Sequence, residues 1–120
     1  MSRVLVVEDE PHLLDLYRME LEDEGYSVEV ASDGPSALSM AGSFKPDLVI
    51  LDIKLGGMEG LEVLQKLKEL RKDKPVILNS AYSHYKNEFT SWLADAYVTK
   101  SGDLDELKTT IHELLRPITA

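Results

Sequence analysis

The sequence predicts an α/β protein built on a mostly parallel sheet with helices on both faces. Short apolar, β-branched-rich runs alternate with segments whose apolar residues recur at helical spacing. Five such strand–helix units in succession favour parallel strands joined by right-handed crossovers. The run Leu48–Leu51 is four apolar residues long and is bounded by turn residues, which is typical of a central strand buried on both faces.

The predicted elements alternate strictly along the 120 residues. The strands are predicted at residues 4–7, 27–31, 48–51, 76–78 and 96–98. The helices are predicted at residues 11–24, 35–41, 61–70, 86–93 and 104–115, with a glycine-bearing loop at 54–60 before the third helix.

Individual residues mark several of these boundaries. Pro11 is tolerated in the first turn of a helix, and Gly25 lies where a glycine usually ends one. Asp33 is placed to cap the second helix. Pro75 opens the fourth strand, and Pro117 terminates the last helix.

Composition excludes several classes of protein. The formal net charge of -9 argues against a nucleic-acid-binding segment, which would need a basic patch. Without cysteine there is no disulfide framework and no thiolate metal site, which fits a reducing cytoplasm. No signal peptide and no apolar stretch long enough to cross a bilayer is evident. We expect a soluble, cytoplasmic protein with one domain over residues 1–120.

Polar residues follow four of the five predicted strands. Glu8 and Asp9 come after the first strand, Asp52 after the third, Ser80 after the fourth and Lys100 after the fifth. Taken singly, acids near a helix start can favour the helix macrodipole, and hydroxyls after strands can satisfy local backbone groups. The carboxyl ends of parallel strands share one edge, however, and ligands bind there in open α/β sheets. The joint pattern therefore favours a ligand-binding site at this edge of the sheet.

The chemistry of this set suits a phosphoryl group. Three carboxylates together repel one another unless a cation is present, and their oxygen ligands suit magnesium. A hydroxyl and an ammonium facing the same point could bind phosphoryl oxygens. The arrangement predicts transfer of a phosphoryl group onto an aspartate carboxylate.

These residues resemble the receiver domain of bacterial two-component response regulators. The resemblance covers essentially the whole chain. Its motifs are Glu8-Asp9, Asp52, Ser80-Ala81 and Tyr97-Val98-Thr99-Lys100. It implies a flavodoxin-like, doubly wound five-stranded sheet of order 2-1-3-4-5 with five helices. The chain would be either a stand-alone regulator or the receiver domain of a longer protein.

The resemblance also implies roles at the site. Glu8, Asp9 and Asp52 would hold Mg²⁺ together with the backbone carbonyl of Lys54. Asp52 would accept the phosphoryl group from a sensor histidine kinase or a histidine phosphotransfer protein.

A further set of implied roles concerns the phosphoryl oxygens and the signal. Ser80 and Lys100 would contact those oxygens, and Tyr97 matches the family's switch aromatic. Signalling would proceed by a conformational change at the Ser80/Tyr97 face. The resemblance also allows a phosphorylation-dependent dimer.

Two further predictions concern the lifetime of the phosphoryl group and the docking of partners. Lys54 and Tyr82 occupy the two variable positions that overlook the site in receiver-like chains. Neither is a good base at neutral pH, which predicts a long-lived phosphorylated state. The first helix has more apolar residues than one core stripe needs, and Leu13 or Leu14 is predicted to belong to a docking patch for a four-helix phosphohistidine partner.

The sequence departs from the usual receiver pattern at three positions. Glu8 stands where many members have aspartate. Gly56, followed by a second glycine, stands where the family usually has proline, which affects the stiffness of the loop. Ser101 stands where a proline in a cis bond is usual, so the sequence does not specify the isomer of the Lys100-Ser101 bond.

Two other functions remain in competition at this point. A haloacid-dehalogenase-like phosphatase also uses an aspartate nucleophile and magnesium, but it carries a second aspartate two residues later. Here Asp52 is followed by Ile53 and Lys54. A flavodoxin should have a hydroxyl- and glycine-rich phosphate loop after its first strand, whereas the acids in this position would repel a phosphate.

Overall fold

A computed structural model of the chain describes residues 2–52, 54–55, 58–80, 94–100 and 104–115, with only the backbone at 54–55, 58–59 and 61. The strands are β1 (Arg3–Val7), β2 (Ser27–Ala31), β3 (Leu48–Leu51), β4 (Lys54–Leu55), β5 (Met58–Glu59), β6 (Val76–Ser80) and β7 (Ala96–Thr99). The helices are α1 (Pro11–Asp23), α2 (Gly34–Ser43), α3 (Gly60–Leu70) and α4 (Asp105–Leu115).

The main sheet has five strands in the order β2-β1-β3-β6-β7, and every neighbouring pair is parallel. Counted among themselves these strands have the order 2-1-3-4-5, so the predicted doubly wound topology is confirmed. The helix predicted at 86–93 lies outside the described residues. None of the helices in the described part of the chain is long and apolar enough to span a membrane.

The sheet separates two apolar clusters, one on each face. The α2/α3 cluster contains side chains of those two helices together with Leu5, Val49 and Leu78. The α1/α4 cluster contains side chains of the other two helices together with Val6 and Ile50. Because successive side chains of a strand point to opposite faces, each central strand contributes to both clusters. This explains the uninterrupted apolar runs in the sequence.

Local signals place the ends of two helices where they were predicted. Gly25 has a φ of 95°, its N–H donates to Glu22, and the N–H of Tyr26 donates to Leu21, which is the Schellman arrangement. The side chain of Asp33 caps α2 by accepting a hydrogen bond from the backbone N–H of Ser36 at 2.8 Å. This hydrogen bond lowers the pKa of Asp33.

The loop after β3 contains a short antiparallel pairing that the sequence did not predict. Strands β4 and β5 pair Lys54 with Glu59 and Leu55 with Met58. The two residues between Leu55 and Met58 are both glycine, a composition favoured in two-residue hairpin connections. The prediction of a plain glycine-bearing loop at 54–60 is therefore corrected to a two-stranded hairpin leading into α3.

Candidate functional site

The ladder hydrogen bonds continue one residue beyond three of the main strands. The N–H of Glu8 donates to Ala31, that of Asp52 to Val7, and that of Lys100 to Ser80, at 3.1, 3.0 and 2.8 Å. These bonds fix the backbone of the residues that follow β1, β3 and β7. Glu8, Asp52 and Lys100 are thus held by the sheet rather than by free loops.

The side chains at this edge form a buried, mostly acidic cluster. Glu8 is 2% exposed and Asp52 is 7% exposed, whereas Asp9 is exposed. One carboxylate oxygen from each of the three lies within 4.8 Å of the other two. The oxygens therefore converge on a volume in which a single cation would contact all three.

Lys100 supplies positive charge within this cluster. Its Nζ donates to Oε1 of Glu8 and, at 3.0 Å, to Oδ2 of Asp52. Burial would lower the pKa of Lys100, but the hydrogen bonds to the two carboxylates outweigh burial and raise it. The lysine therefore stays protonated, and if all three acids are ionised the cluster has two negative charges in excess.

Glu8 is the group most perturbed by this environment. Burial, followed by the hydrogen-bonding interaction with Asp52, raises the pKa of Glu8 to about 7 against the opposing effect of Lys100. Its Oε2 also accepts the N–H of Asp9 at 3.0 Å. Burial makes the ionised form of Glu8 unfavourable, and a bound cation would make that ionised form favourable again.

Ser80 and Tyr97 lie on the last two strands of the main sheet. Ser80 is fully buried at the end of β6. Tyr97 is half-buried against the α2/α3 cluster and is in register with Leu78. Since residues two apart on a strand share a face, Ser80 and Tyr97 lie on the same side of the sheet.

The remaining predicted residues are placed less completely. The backbone of Lys54 lies in β4, its side chain is outside the described part, and Tyr82 and Ser101 are outside it altogether. Leu13 and Leu14 are each half-buried against the α1/α4 cluster. Leu16, which shares the helical spacing of these apolar residues, is 37% exposed.

Two residues next to the site were not identified from the sequence. Asn79 is 3% exposed, and its Nδ2 donates to the hydroxyl of Tyr17 at 3.0 Å. Tyr17 is one of the buried residues of α1, and Asn79 is the fourth residue of β6. A polar amide directly after a run of apolar strand residues was the available signal.

The comparisons with known proteins agree with this geometry. Residues 4–112 match the family model of the response regulator receiver domain. The probable transcriptional regulatory protein TcrX of Mycobacterium tuberculosis is 39% identical over 115 residues, which cover 94% of this chain and 49% of TcrX. The response regulator MprA of Mycolicibacterium vanbaalenii is 37% identical, over 98% of this chain and 52% of MprA. The chain thus spans about half the length of these curated relatives.

Solved structures give the same answer. The response regulator TrrA of Thermotoga maritima in complex with Mg²⁺-BeF superposes with a TM-score of 0.93 at 47% identity, covering 96% of this chain and all of TrrA. TrrA bound to the histidine kinase ThkA gives a TM-score of 0.91 at 46% identity, covering 97% of this chain and all of that chain. The chain belongs to the response regulator receiver domain family.

Proposed function

We propose that Asp52 is the phosphoacceptor of this receiver domain and that the donor is a phosphohistidine on a sensor histidine kinase or a histidine phosphotransfer protein. The observation that carries the proposal is the buried cluster at the carboxyl edge of the sheet, in which Asp52 lies 3.0 Å from the Lys100 ammonium and close to two further acids. The complex of TrrA with a histidine kinase supports a partner of this kind.

The proposed reaction is an in-line displacement at phosphorus. A carboxylate oxygen of Asp52 bonds to phosphorus, and the bond between phosphorus and the histidine nitrogen breaks. That nitrogen keeps the electron pair, and the protein holds an acyl phosphate. Lys100 and Ser80 are proposed to bind the phosphoryl oxygens. The chain acts as a signalling module, and its catalysis is limited to its own phosphorylation and dephosphorylation.

The donor set fits Mg²⁺. Three carboxylates supply oxygen ligands that converge within 4.8 Å, and hard oxygen ligands are those that Mg²⁺ prefers. Glu8, Asp9 and Asp52 would hold the ion, together with the backbone carbonyl of Lys54. When bound, it would neutralise charge on the carboxylates and on the phosphoryl oxygens. The Mg²⁺-BeF complex of TrrA supports this assignment.

Ser80 and Tyr97 are proposed to carry the signal. A Ser80 hydroxyl drawn toward a phosphoryl group would change the packing on its face of the sheet, where Tyr97 lies half-buried. Phosphorylation-dependent dimerisation stays a prediction, which light scattering of the phosphorylated protein tests.

The start of α1 is proposed as the docking patch for the phosphohistidine partner. Leu13 and Leu14 lie in the first turns of α1, which begins two residues after Asp9, and they retain partial exposure. Leu16 and Met19, which are 37% and 57% exposed, extend this apolar surface along the helix.

The proposed function is placed in the cytoplasm, with no nucleic-acid contact by residues 1–120.

Incubation with acetyl phosphate tests the proposal without a kinase. With this donor, the bond between phosphorus and the acetyl oxygen breaks, and acetate is released. We expect a Mg²⁺-dependent gain of one phosphoryl group by intact mass and little free phosphate over the same period. Rapid release of phosphate without accumulation of the phosphorylated protein would favour the phosphatase alternative. No gain of mass and no release of phosphate would contradict both.

A further inference from the structure

A buried hydrogen bond joins α1 to the end of β6 beside the acidic cluster. Nδ2 of Asn79 donates to the Tyr17 hydroxyl at 3.0 Å, and the two residues are 3% and 2% exposed. Each polar group loses water on folding, and the hydrogen bond offsets that cost. Two apolar side chains of similar volume would fill the same space without that cost. Packing alone therefore does not explain why two polar residues occupy these positions.

The pleat of the sheet places this pair on the same face as Glu8, Asp52 and Lys100. Ile77 of β6 belongs to the α1/α4 cluster, and Asn79, two residues later, shares its face. By the same alternation Glu8, Asp52 and Lys100 continue the face of Val6, Ile50 and Val98, which belong to that cluster. The Tyr17–Asn79 bond thus borders the acidic cluster from the α1 side.

Charges at the site act directly on Tyr17. Burial raises the pKa of its hydroxyl, the hydrogen bond from Asn79 and the charge of Lys100 oppose that rise, and the charges of Glu8 and Asp52 add to it. The sensitivity to all three charges agrees with a hydroxyl that lies next to the cluster.

The backbone links Asn79 to two groups with proposed roles. Ser80 is the next residue, and its carbonyl accepts the N–H of Lys100 at 2.8 Å. A displacement of Asn79 would therefore shift both the Ser80 hydroxyl and the start of the Lys100 side chain. Glu8 and Asp52 directly follow β1 and β3, and their backbone N–H groups donate to Ala31 and Val7. Their contact with this link is therefore limited to the side chain of Lys100.

We propose that Tyr17 and Asn79 are positioning residues, whose hydrogen bond fixes the end of β6 against α1 and so places Ser80 and Lys100 for phosphoryl transfer. The inference rests on the proposed function of the acidic cluster. It assigns the pair no contact with the phosphoryl group or the metal.

The test uses Tyr17→Phe and Asn79→Leu, with acetyl phosphate as donor and beryllofluoride as a phosphoryl probe. A misplacement of about 1 Å can cost up to about 100-fold in rate, so we expect the phosphorylation rate and the beryllofluoride affinity to fall by about tenfold. Magnesium affinity should change less than either of these values, because the backbones of Glu8 and Asp52 are held by bonds to Ala31 and Val7 and not by β6. Tyr26→Phe is the matched control, since Tyr26 packs against the same cluster next to the opposite end of the sheet, and should leave all three values unchanged.

The double variant Tyr17→Phe/Asn79→Leu separates positioning from stability. Replacing both partners by apolar groups removes the unsatisfied polar atom, so urea stability should recover relative to the single variants. The phosphorylation rate should remain low. Recovery of the rate together with stability, or single variants within about twofold of the wild-type rate, would overturn the inference. A wild-type protein that gains no phosphoryl group would instead overturn the proposed function and, with it, this inference.

Discussion

The two ends of the sheet both contain carboxylates paired with lysine, but they use them differently. At the amino end, Asp95 accepts the N–H of Val76 at 2.8 Å and the Lys68 ammonium at 2.7 Å. Asp47 similarly accepts the N–H of Arg3 at 2.8 Å. Each of these carboxylates satisfies the first N–H of a strand and remains more than a third exposed. At this end the carboxylates therefore have a structural role, because they complete the hydrogen bonding of the strands.

At the carboxyl end the carboxylates outnumber the lysine, whereas Asp95 and Asp47 each have a lysine of their own. One ammonium, that of Lys100, serves two buried carboxylates, while Asp9 adds a third acid at the exposed side. Burial strengthens the repulsion among these acids because it removes the screening by water. The difference between the ends is therefore an excess of negative charge at the carboxyl end, which would favour a bound cation. In the proposed function, that cation and Lys100 offset the charge of the phosphoryl oxygens.

The largest expected effect is the pH dependence of stability in the metal-free protein. The pKa of Glu8 is raised to about 7 from its ordinary value of 4.5, so the folded state holds this proton more tightly than the unfolded chain. The resulting stability is complete below about pH 4.5 and is lost as the pH rises through about 7. At 1.36 kcal/mol per pKa unit, the loss is about 3 kcal/mol.

Urea unfolding between pH 4.5 and 8 in the presence of a chelator measures this effect. Glu8→Gln should flatten the decline in unfolding free energy, and Asp95→Asn at the amino end should retain it. An equal decline in wild type and Glu8→Gln would show that Glu8 is not the group responsible.

Magnesium affinity gives the next largest effect. Removing two of the three acidic ligands with Glu8→Gln and Asp9→Asn should weaken binding by about 100-fold, or about 2.7 kcal/mol. The same double variant should be more stable than wild type without metal, because carboxylate repulsion is relieved. Isothermal titration calorimetry measures the affinity. The control, Asp47→Asn with Asp95→Asn, removes the same number of charges from the other end, and an equal loss there would contradict a local site.

Much of the fold followed from the sequence, because its signals are local. The apolar runs specify strands that are buried on both faces, and Gly25 and Asp33 specify helix ends through their own backbone and side-chain geometry. The hairpin after β3 was missed because the glycine pair was interpreted only as part of a glycine-bearing loop. Pairing Leu55 with Met58 around it would have predicted the hairpin.

The sequence predicted which residues come together at this edge of the sheet, but it did not predict which of their side chains contact each other. Strand ends of a parallel sheet converge, which was enough to bring Glu8, Asp52 and Lys100 to one edge. The Lys100–Glu8 and Asn79–Tyr17 bonds join residues 92 and 62 positions apart. Which long side chain reaches which acid, and which strand-end amide meets a helix hydroxyl, depends on the spacing between elements, and no local pattern encodes that.

A third effect concerns the lifetime of the phosphoryl group. Lys54 and Tyr82 are proposed to restrict attack by water on phosphorylated Asp52, since neither activates water at neutral pH. Lys54→Asn with Tyr82→Glu introduces a carboxylate that can orient or activate water, and should speed autodephosphorylation by about tenfold. The decay of the phosphorylated mass after removal of acetyl phosphate measures the rate. A double variant that loses phosphate no faster than wild type would remove these residues as the gate.

The smallest effect belongs to the amino end. Asp95→Asn keeps an acceptor for the N–H of Val76 but loses the charge opposite Lys68. Because Asp95 is partly exposed, we expect a loss of about 1 kcal/mol in unfolding free energy. Urea denaturation at low and high salt measures it, and the loss should shrink at high salt. A fall in the phosphorylation rate that exceeds the fall in the fraction of folded protein would contradict a purely structural role for this end.

The most direct test of the account compares one isosteric substitution at each end of the sheet. Wild type, Asp52→Asn and Asp95→Asn are incubated with acetyl phosphate and Mg²⁺, and their intact masses are measured. The account predicts that wild type and Asp95→Asn each gain one phosphoryl group, while Asp52→Asn remains folded by circular dichroism and gains none. A folded Asp52→Asn protein that still gains the phosphoryl group would contradict the assignment of Asp52 as the acceptor.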